Sequence, residues 1–501
     1  MTTDSHPKKK NHNYLALVLV GVAISINYTI HMASIQPLYY ALNGPKNLYG
    51  LVFASYELAC MLSAPLITHL SDRFHSFKPY FQLCNALNFC GAIIYAFSFL
   101  SSRWYLMLIG RFTAGLSLAN FALASGYIAK TTTLENRQLS LLVMRASQAA
   151  SRAIGQFIGM AFIGMPLVSQ QSSTVAKIFN FYTVPAWIAA VLMMASCGII
   201  NFMFFDPSTK QIDPTMQSPP SSIHDADTTT TTNDMNQYRS RRFILYASLW
   251  FSNAVFFFTV QSAFFSNLFG VLAGQYHAVS NQHQTWKVHI ATISSLLVTI
   301  PVTRYGVGKA YTLFQEQILT LASSWIMMVI VLLVIPYQGA TATPPVATYY
   351  VATALFGPMM MWSQSGIETV FNKRVTQYED VVGEERVSQA LGWYWFFACF
   401  GRFVGPMTAG AVTFIATPSG QINYTSPTSP SPSTTCAVNS DYYYTQGCVL
   451  YDMIPYYAAL AGVQVVVIFS LHYMLLARQW GYSNEDVDAA YNKNKCLDDK
   501  R

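Results

Sequence analysis

The second half of this chain repeats landmarks of the first half in the same order, at an offset that grows slowly. Arg73 and Lys78 lie five residues apart after one apolar stretch, and Arg304 and Lys309 lie five apart after another, 231 positions later. Further landmarks keep this order: Ser125-Gly126 with Ser365-Gly366 (offset 240), Glu135-Asn136-Arg137 with Glu384-Glu385-Arg386 (offset 249), and Arg152 to Gly155 with Arg402 to Gly405 (offset 250). Because every landmark lies in or beside an apolar segment of membrane length, the pattern predicts a duplicated polytopic membrane protein, in which a binding site lies between the two repeats.

The composition agrees with a membrane location. Hydrophobic residues make up 52% of the chain and charged residues only 10%, whereas soluble chains average roughly 25% charged residues. The net charge of +7 does not indicate a nucleic-acid partner, because the basic residues occur in short clusters between apolar runs. That distribution is typical of the loops of a membrane protein.

Hydropathy predicts an all-α protein with twelve spans, each near the roughly 20 residues that a bilayer core requires. The start is not a secretory signal, because Lys8, Lys9 and Lys10 precede an apolar run that is too long for one and lacks a cleavage site. The predicted spans are 14–39, 48–69, 80–100, 104–129, 138–165, 179–204, 243–268, 286–303, 314–336, 347–371, 388–416 and 449–477.

The Lys and Arg distribution predicts the orientation. With both termini in the cytosol, 21 basic residues fall on the cytosolic side, and only Lys46, Arg103, Lys177 and Lys287 fall on the other. The remaining four are arginines within spans. The predicted organisation is a cytosolic N-terminus (1–13), a six-helix bundle (14–204), a disordered linker rich in Thr, Ser and Pro (205–242), a second bundle (243–478) and a cytosolic tail (479–501).

A polar loop at 418–447 falls on the non-cytosolic side. It contains Asn423-Tyr424-Thr425, a glycosylation acceptor pattern. The loop also contains Cys436, and Cys448 is the first residue after the loop. That compartment is oxidising, so we expect a disulfide between the two cysteines. The other six cysteines are expected to be free, and no spacing indicates zinc, a cofactor, a phosphate loop or a nucleophile triad, so the sequence predicts no enzyme.

Several segments resemble the major facilitator superfamily. They are the loop Leu70 to Lys78 between the second and third spans, Leu108 to Gly115 in the fourth span, and Gly155 to Gly159 in the fifth. Scattered runs resemble its lysosomal ceroid-lipofuscinosis-type facilitators: Gly50 to Tyr56, Thr133 to Arg137, Phe181 to Pro185, Leu391 to Trp393 and Gly401 to Pro406. The resemblance implies small anionic solutes, chloride among them, and an endolysosomal membrane, with the plasma membrane as the alternative.

Ionisable residues within the spans are the candidates for a substrate cavity, because a charge in the bilayer core costs at least about 3 kcal/mol on insertion scales. Arg145 and Arg152 are seven residues apart and therefore share one helical face. Guanidinium groups there suit a carboxylate or phosphate. The candidate cavity residues are Glu57, Arg111, Arg145, Arg152, Arg402 and His31.

Alternatives remain open for several of these residues. Arg152 and Arg402 lie beside glycines with spacing suited to close helix packing, which favours a structural role as much as a binding role. Arg111 either binds solute, relays protons or forms a structural pair, Glu57 either carries protons or pairs with an arginine, and His31 is interpreted as a hydrogen-bonding residue.

A cytosolic gate is the second predicted site. Its candidates are Asp72, Arg73, Lys78, Arg304, Lys309 and Glu368, the last near the cytosolic end of its helix. Positive-inside topology alone explains the basic members but not Asp72. The sequence as a whole predicts a transporter of a small anionic solute, coupled or uncoupled to protons, with a channel-like anion conductor and a membrane scaffold as alternatives.

Overall fold

The computed structural model describes residues 6–32, 34–45, 48–132, 134–162, 178–180, 182–206, 244, 247–260, 313–334, 387–416 and 454–476, with stretches of one to three residues between 351 and 375. Within these residues the regular structure is helical, and no strand occurs. We refer to residues up to 206 as the first half of the chain and to residues from 243 as the second half. The predicted eighth span, most of the linker and the loop at 418–447 lie outside the described residues, so the count of twelve spans stays a prediction.

Eight helices form the described part of the first half. They are α1 (His6–Ile30), α2 (Ile35–Ala41), α3 (Tyr49–Phe74), α4 (Lys78–Leu100), α5 (Trp104–Gly115), α6 (Ala119–Thr131), α7 (Leu134–Ala161) and α8 (Val184–Met203). A single 3₁₀ turn at Leu116–Leu118 joins α5 to α6, and the two together make one span, Trp104–Thr131. The second half contributes α9 (Leu313–Val334), α10 (Val387–Ala416) and α11 (Ile454–Leu476).

Five helical stretches are long and apolar enough to cross a membrane within the described residues: His12–Ile30, Gly50–Phe74, Lys78–Leu100, Trp104–Thr131 and Val184–Met203. They match the first, second, third, fourth and sixth predicted spans. The fifth predicted span, 138–165, corresponds to α7, which begins at Leu134 and ends at Ala161. Arg145 and Arg152 give α7 one polar face, which an interior helix can keep away from lipid.

The turn between α3 and α4 is fixed by local hydrogen bonds. His75 ends α3 in a left-handed conformation, with φ of 50°. Asp206, just after α8, accepts hydrogen bonds from the backbone N–H groups of Phe77 and Lys78 and from the Ser76 hydroxyl. A carboxylate at the first turn of a helix satisfies N–H groups that have no partner within the helix, so Asp206 joins α8 to the start of α4.

The two halves meet most closely where α3 packs against α10. Gly392 makes this approach possible, because a Cβ atom there would collide with Thr68 Oγ1 and the backbone of Ala64. The Cys60 and Cys399 sulfur atoms lie 2.9 Å apart in the same interface, and both residues are free thiols.

Small residues also hold α7 against α1. Cβ atoms at Gly155 and Gly159 would collide with the backbone of Ile26 and Ile30 in α1, and Thr29 donates a hydrogen bond to the Arg152 carbonyl at 2.8 Å. The glycine spacing noted in the sequence therefore serves close helix packing.

Candidate functional site

A buried ion pair joins the two halves through Arg145 and Glu368. Arg145 on α7 donates from Nε to Glu368 Oε2 at 2.7 Å and from Nη2 to Glu368 Oε1 at 2.5 Å. Glu368 is only 2% exposed. The side chain proposed above for a cytosolic gate thus lies in the interior as the partner of an arginine from the opposite half.

Each of the three Arg145 guanidinium nitrogens donates at least one hydrogen bond. Its Nη1 donates to Gln148 at 2.8 Å and its Nη2 to Ser125 at 3.1 Å, while the Ser125 hydroxyl donates to Glu368 Oε1 at 2.9 Å. The Trp395 ring covers the guanidinium, with 4.7 Å from its Cζ to the ring centroid. Bidentate, ring-covered pairs of this type are the strong ones among ionic contacts.

A second ion pair also joins the halves, but here the second half supplies the arginine and the first half the glutamate. The distance between the charged groups is longer than in the first pair. Arg402 on α10 lies 4.0 Å from Glu57 on α3, measured from Nη1 to Oε2. The Glu57 Oε2 atom is buried and accepts no hydrogen bond. The Arg402 guanidinium rests on Phe258, 4.4 Å from the ring centroid, and on the same Trp395, at 5.4 Å.

Arg152 approaches this second pair from α7. Its Cζ lies 5.8 Å from the Tyr28 ring centroid, and its Nε atom is buried without a hydrogen-bond partner. The charges are close enough to interact: Arg402 repels Arg152 and Glu57 attracts it, and Glu57 likewise attracts Arg402. No Arg152 nitrogen lies within 4.0 Å of a Glu57 oxygen. We call Arg152, Arg402 and Glu57 the two-arginine cluster.

Arg111 and His31 lie apart from these pairs, inside the first half. They line a cavity of about 10 Å³ that is also bounded by Asn27, Tyr56 and Tyr95, which is room for about one water molecule. The Arg111 Nε and Nη2 atoms and the His31 Nδ1 atom are buried without partners. Within the described part of the chain, no carboxylate lies within 4 Å of Arg111.

His31 has one hydrogen bond that fits the expectation from the sequence. Its Nε2 lies 3.2 Å from Asn27 Oδ1, and Asn27 in turn donates to Asn88. The ring also packs on Tyr95, with centroids 4.6 Å apart. Asn27 is 2% exposed, so the glycosylation pattern that begins there is buried.

The C-terminal end of α3, which the sequence predicts to be cytosolic, makes a third contact between the halves through Asp72. Its Oδ1 accepts from Lys130 Nζ at 2.8 Å, and its Oδ2 accepts from the backbone N–H of Gln389 at 2.9 Å. Gln389 lies in the first turn of α10, where free N–H groups and the helix dipole favour an anion. This geometry is what a gate contact between halves requires.

The other gate candidates are placed differently. Lys78 donates to the Asn201 carbonyl at 2.9 Å, within its own half, and Arg73 is exposed beside Phe74. Arg304 and Lys309 lie outside the described residues, as do Asn423, Cys436 and Cys448. No group of three or more potential metal ligands occurs among the residues that the structure describes.

Sequence reasoning missed several residues that complete these contacts. Ser125 was noted only as a repeat landmark, and Gln148, Trp395, Tyr28 and Lys130 were not singled out. One signal for Trp395 was present, because it follows Arg145 by 250 positions, the same offset that relates Arg402 to Arg152. Arg145 and Trp395, which contact each other across the halves, thus occupy corresponding positions of the repeat.

Comparisons with known proteins place this geometry in a family. Residues 17–406 match the family model of the Major Facilitator Superfamily. A relative from Xenopus laevis, Major facilitator superfamily domain-containing protein 8, is 25% identical over 202 residues, which are 39% of this chain and 39% of that protein. The match therefore spans about two fifths of the relative's length.

Solved structures show the same fold at low sequence identity. The human organic anion transporter MFSD10 (TETRAN) matches with a TM-score of 0.57 and 12% identity, over 92% of this chain and 99% of that chain. The transporter FucP, in the outward conformation, matches with a TM-score of 0.56 and 11% identity, over 92% and 98%. With a family model that spans most of its length and helices suited to a bilayer, this chain is a multi-pass membrane protein that belongs to the Major Facilitator Superfamily of transporters.

Proposed function

We propose that this protein transports a small anionic solute by rocking of two six-helix halves, 14–204 and 243–478. The observation that carries the proposal is the charge of the layer between the halves. Among the residues that the structure describes, three arginines, Arg145, Arg152 and Arg402, lie with two carboxylates, Glu57 and Glu368. Because an uncompensated charge within a membrane is costly, the surplus cation favours an anion as the solute.

The contacts described above support alternating access. Each half supplies one arginine and one glutamate to the other, and Asp72 joins the cytosolic ends of α3 and α10. Contacts of this type exchange partners when the halves tilt. In this proposal the Asp72 contact closes the cytosolic end, and opening that end requires the contact to break.

Location and processing are part of the proposal. The resemblance of short runs to lysosomal facilitators supports an endolysosomal membrane over the plasma membrane. On the luminal side, Cys436 and Cys448 form a disulfide and Asn423 is the glycosylation acceptor. Imaging of a tagged chain, and non-reducing mass spectrometry of the 418–448 segment, test these assignments; signal only at the plasma membrane, or two free thiols, would reject them.

The test of transport is flux into proteoliposomes that contain the purified full chain. We expect saturable uptake of an anion, driven by its own gradient or by a proton gradient. Replacement of Arg152 by Gln should remove one charge-assisted contact, about 1.5–3 kcal/mol, which corresponds to roughly 10- to 150-fold in affinity. The Arg152→Lys variant keeps the charge and loses the fork, so its defect should be partial for a polyatomic anion and smaller for chloride.

Arg145→Gln tests the other member of the cationic stripe, and Arg103→Gln is the matched control, because Arg103 is an exposed arginine outside the layer. Flux is normalised to folded protein, since a purely structural arginine would lower the melting temperature and leave flux per folded molecule unchanged. Full activity in a well-folded Arg145→Gln, Arg152→Gln double variant would refute the anion path. Unsaturable current without coupling would favour a channel.

A further inference from the structure

We infer that the two-arginine cluster is the binding place for a single carboxylate group of the solute, and that the solute class is therefore the monocarboxylates. The inference rests on the proposed function and refines it. Arg152 and Arg402 are the binding arginines, Glu57 is the carboxylate that competes with the solute for them, and Arg145 stays paired with Glu368.

The first argument is the internal repeat. Arg152 and Arg402 occupy corresponding positions at an offset of 250, one on α7 of the first half and one on α10 of the second. The structure brings both to the same glutamate, with Arg402 at 4.0 Å and Arg152 within electrostatic range. The cluster thus combines two arginines from corresponding positions of the repeat, one from each half.

The second argument is that the second half of the sequence has no acidic residue at the positions that correspond to Glu57. The positions that correspond to Glu57, at offsets of 231 to 240, are 288 to 297, and the sequence contains no Asp or Glu anywhere between Asp234 and Glu316. The repeat therefore supplies two guanidinium groups but only one carboxylate. Among the described residues, no carboxylate of the second half lies within 4.0 Å of Arg152 in the way that Glu57 lies near Arg402.

The third argument is the poor pairing of Glu57. Its side chain is 8% exposed, yet Oε2 accepts no hydrogen bond, and the Arg152 Nε atom donates none. Buried polar groups without partners are rare in folded proteins, and each needs an explanation. A carboxylate that enters between the two arginines would use the free donors and leave Glu57 loosely held, as it already is.

The guanidinium groups of the cluster, and the aromatic rings that cover them, determine which class of ligand can bind. A guanidinium presents a planar fork of N–H donors that matches the two oxygens of a carboxylate. The faces of both guanidinium groups are covered by the rings of Tyr28, Phe258 and Trp395, so only their edges are available. One net positive charge calls for one net negative charge, which disfavours dicarboxylates, and a monatomic anion offers a single acceptor centre that matches the two parallel N–H donors less well than the two oxygens of a carboxylate.

The experiment is calorimetric titration of the purified full chain with sodium benzoate, disodium succinate and sodium chloride. We expect benzoate to bind at least about tenfold more tightly than succinate or chloride, the effect of one charge-assisted contact. Arg152→Gln and Arg402→Gln should each weaken benzoate binding about tenfold or more, with partial rescue by Lys. Arg103→Gln, the exposed control, should leave it unchanged.

Glu57→Gln is the decisive variant, because the inference predicts a gain. Removal of the competing carboxylate should raise the affinity for benzoate about tenfold, which is the effect expected for one charge-assisted contact. If Glu57 only held the fold, the variant would lower the melting temperature and leave the affinity unchanged. Unchanged or lost benzoate binding in a folded Glu57→Gln protein would overturn the inference.

Failure of this inference is distinguishable from failure of the proposed function. If proteoliposomes accumulate chloride or succinate with kinetics that Arg152→Gln and Arg402→Gln do not alter, the monocarboxylate site is wrong and anion transport stands. If folded wild-type protein moves a neutral or cationic solute and binds none of the three anions, both proposals are wrong.

Discussion

The two arginine sites between the halves contain the same residue types and differ in how completely each arginine is paired. Arg145 makes two short bonds to Glu368, and its remaining donors reach Gln148 and Ser125. Arg402 lies 4.0 Å from a glutamate oxygen that has no hydrogen bond. A saturated pair opposes exchange with a solute, whereas a loose pair with a surplus cation nearby favours it.

The comparison suggests a division of roles between stability and binding. The Arg145–Glu368 pair acts as a fixed connection in this state, because separating it would leave two buried charges without partners. Arg402 of the two-arginine cluster contacts the same Trp395 ring, and Arg152 Nε is a buried donor without a partner. Sequence alone assigned Arg145 and Arg152 to one cationic stripe, and the structure separates them by their partners.

The largest expected effect comes from Glu368→Gln. It leaves Arg145 buried without a counter-charge, which typically costs about 3–5 kcal/mol of stability. We expect a large drop in melting temperature and in yield of folded protein, and the double variant Arg145→Gln, Glu368→Gln should recover most of the loss. Glu57→Gln is the comparison variant, and a loss as large as that of Glu368→Gln would contradict the distinction between the two sites.

Gly392→Ala tests whether the close approach of α3 and α10 is required. The added methyl group would collide with Thr68 and with the Ala64 backbone, and overpacking of this kind costs about 1–3 kcal/mol. Gly198→Ala is the matched control, because nothing lies within 4 Å of a Cβ atom there. Thermal unfolding measures both variants, and equal melting temperatures would show that the interface yields without cost.

Asp72→Asn should shift the protein towards states that are open to the cytosol. The variant loses a charged contact to Lys130 and one to the first turn of α10, together about 1.5 kcal/mol, or roughly tenfold in the open population. The readout is the rate at which a cytosolic maleimide labels a cysteine placed at Ser388, which is fully buried. Arg73→Gln is the neighbouring control, and a labelling rate equal to the parent's would exclude Asp72 as a gate.

The smallest effect is expected for Lys78→Gln. Lys78 bonds to a carbonyl within its own half near the surface, and such substitutions usually stay within about 0.5 kcal/mol. Flux should therefore stay within about twofold of wild type. A strong defect would show that Lys78 takes part in gating after all and that the contacts at this end extend beyond Asp72.

The sequence predicted the helical membrane fold and the family because apolar length, charge placement and motif residues are local properties. It also predicted that Arg152 and Arg402 correspond, since the repeat is visible in the residue order. It did not predict the pairing of Arg145 with Glu368, because 223 positions and two halves separate them. Which charges meet across an interface depends on how whole helices tilt and pack.

The contacts of the gate candidates also could not be predicted from the sequence. Asp72 was selected because positive-inside topology could not explain an acid there, and its partners are a lysine and a backbone N–H group that has no signature in the sequence. Lys78 carries the family motif, yet its contact lies within one half. A motif residue identifies a place in the fold, but the atoms that it contacts are set by packing.

Trp395 has an optical consequence. Its indole is 2% exposed and lies against guanidinium groups that come from both halves, at 4.7 and 5.4 Å. Indole emission moves to longer wavelengths when water replaces protein around the ring, and nearby cations alter its intensity. In a variant whose other eight tryptophans are replaced by Phe, the emission wavelength of Trp395 would report each separation of the halves in real time, without any added label.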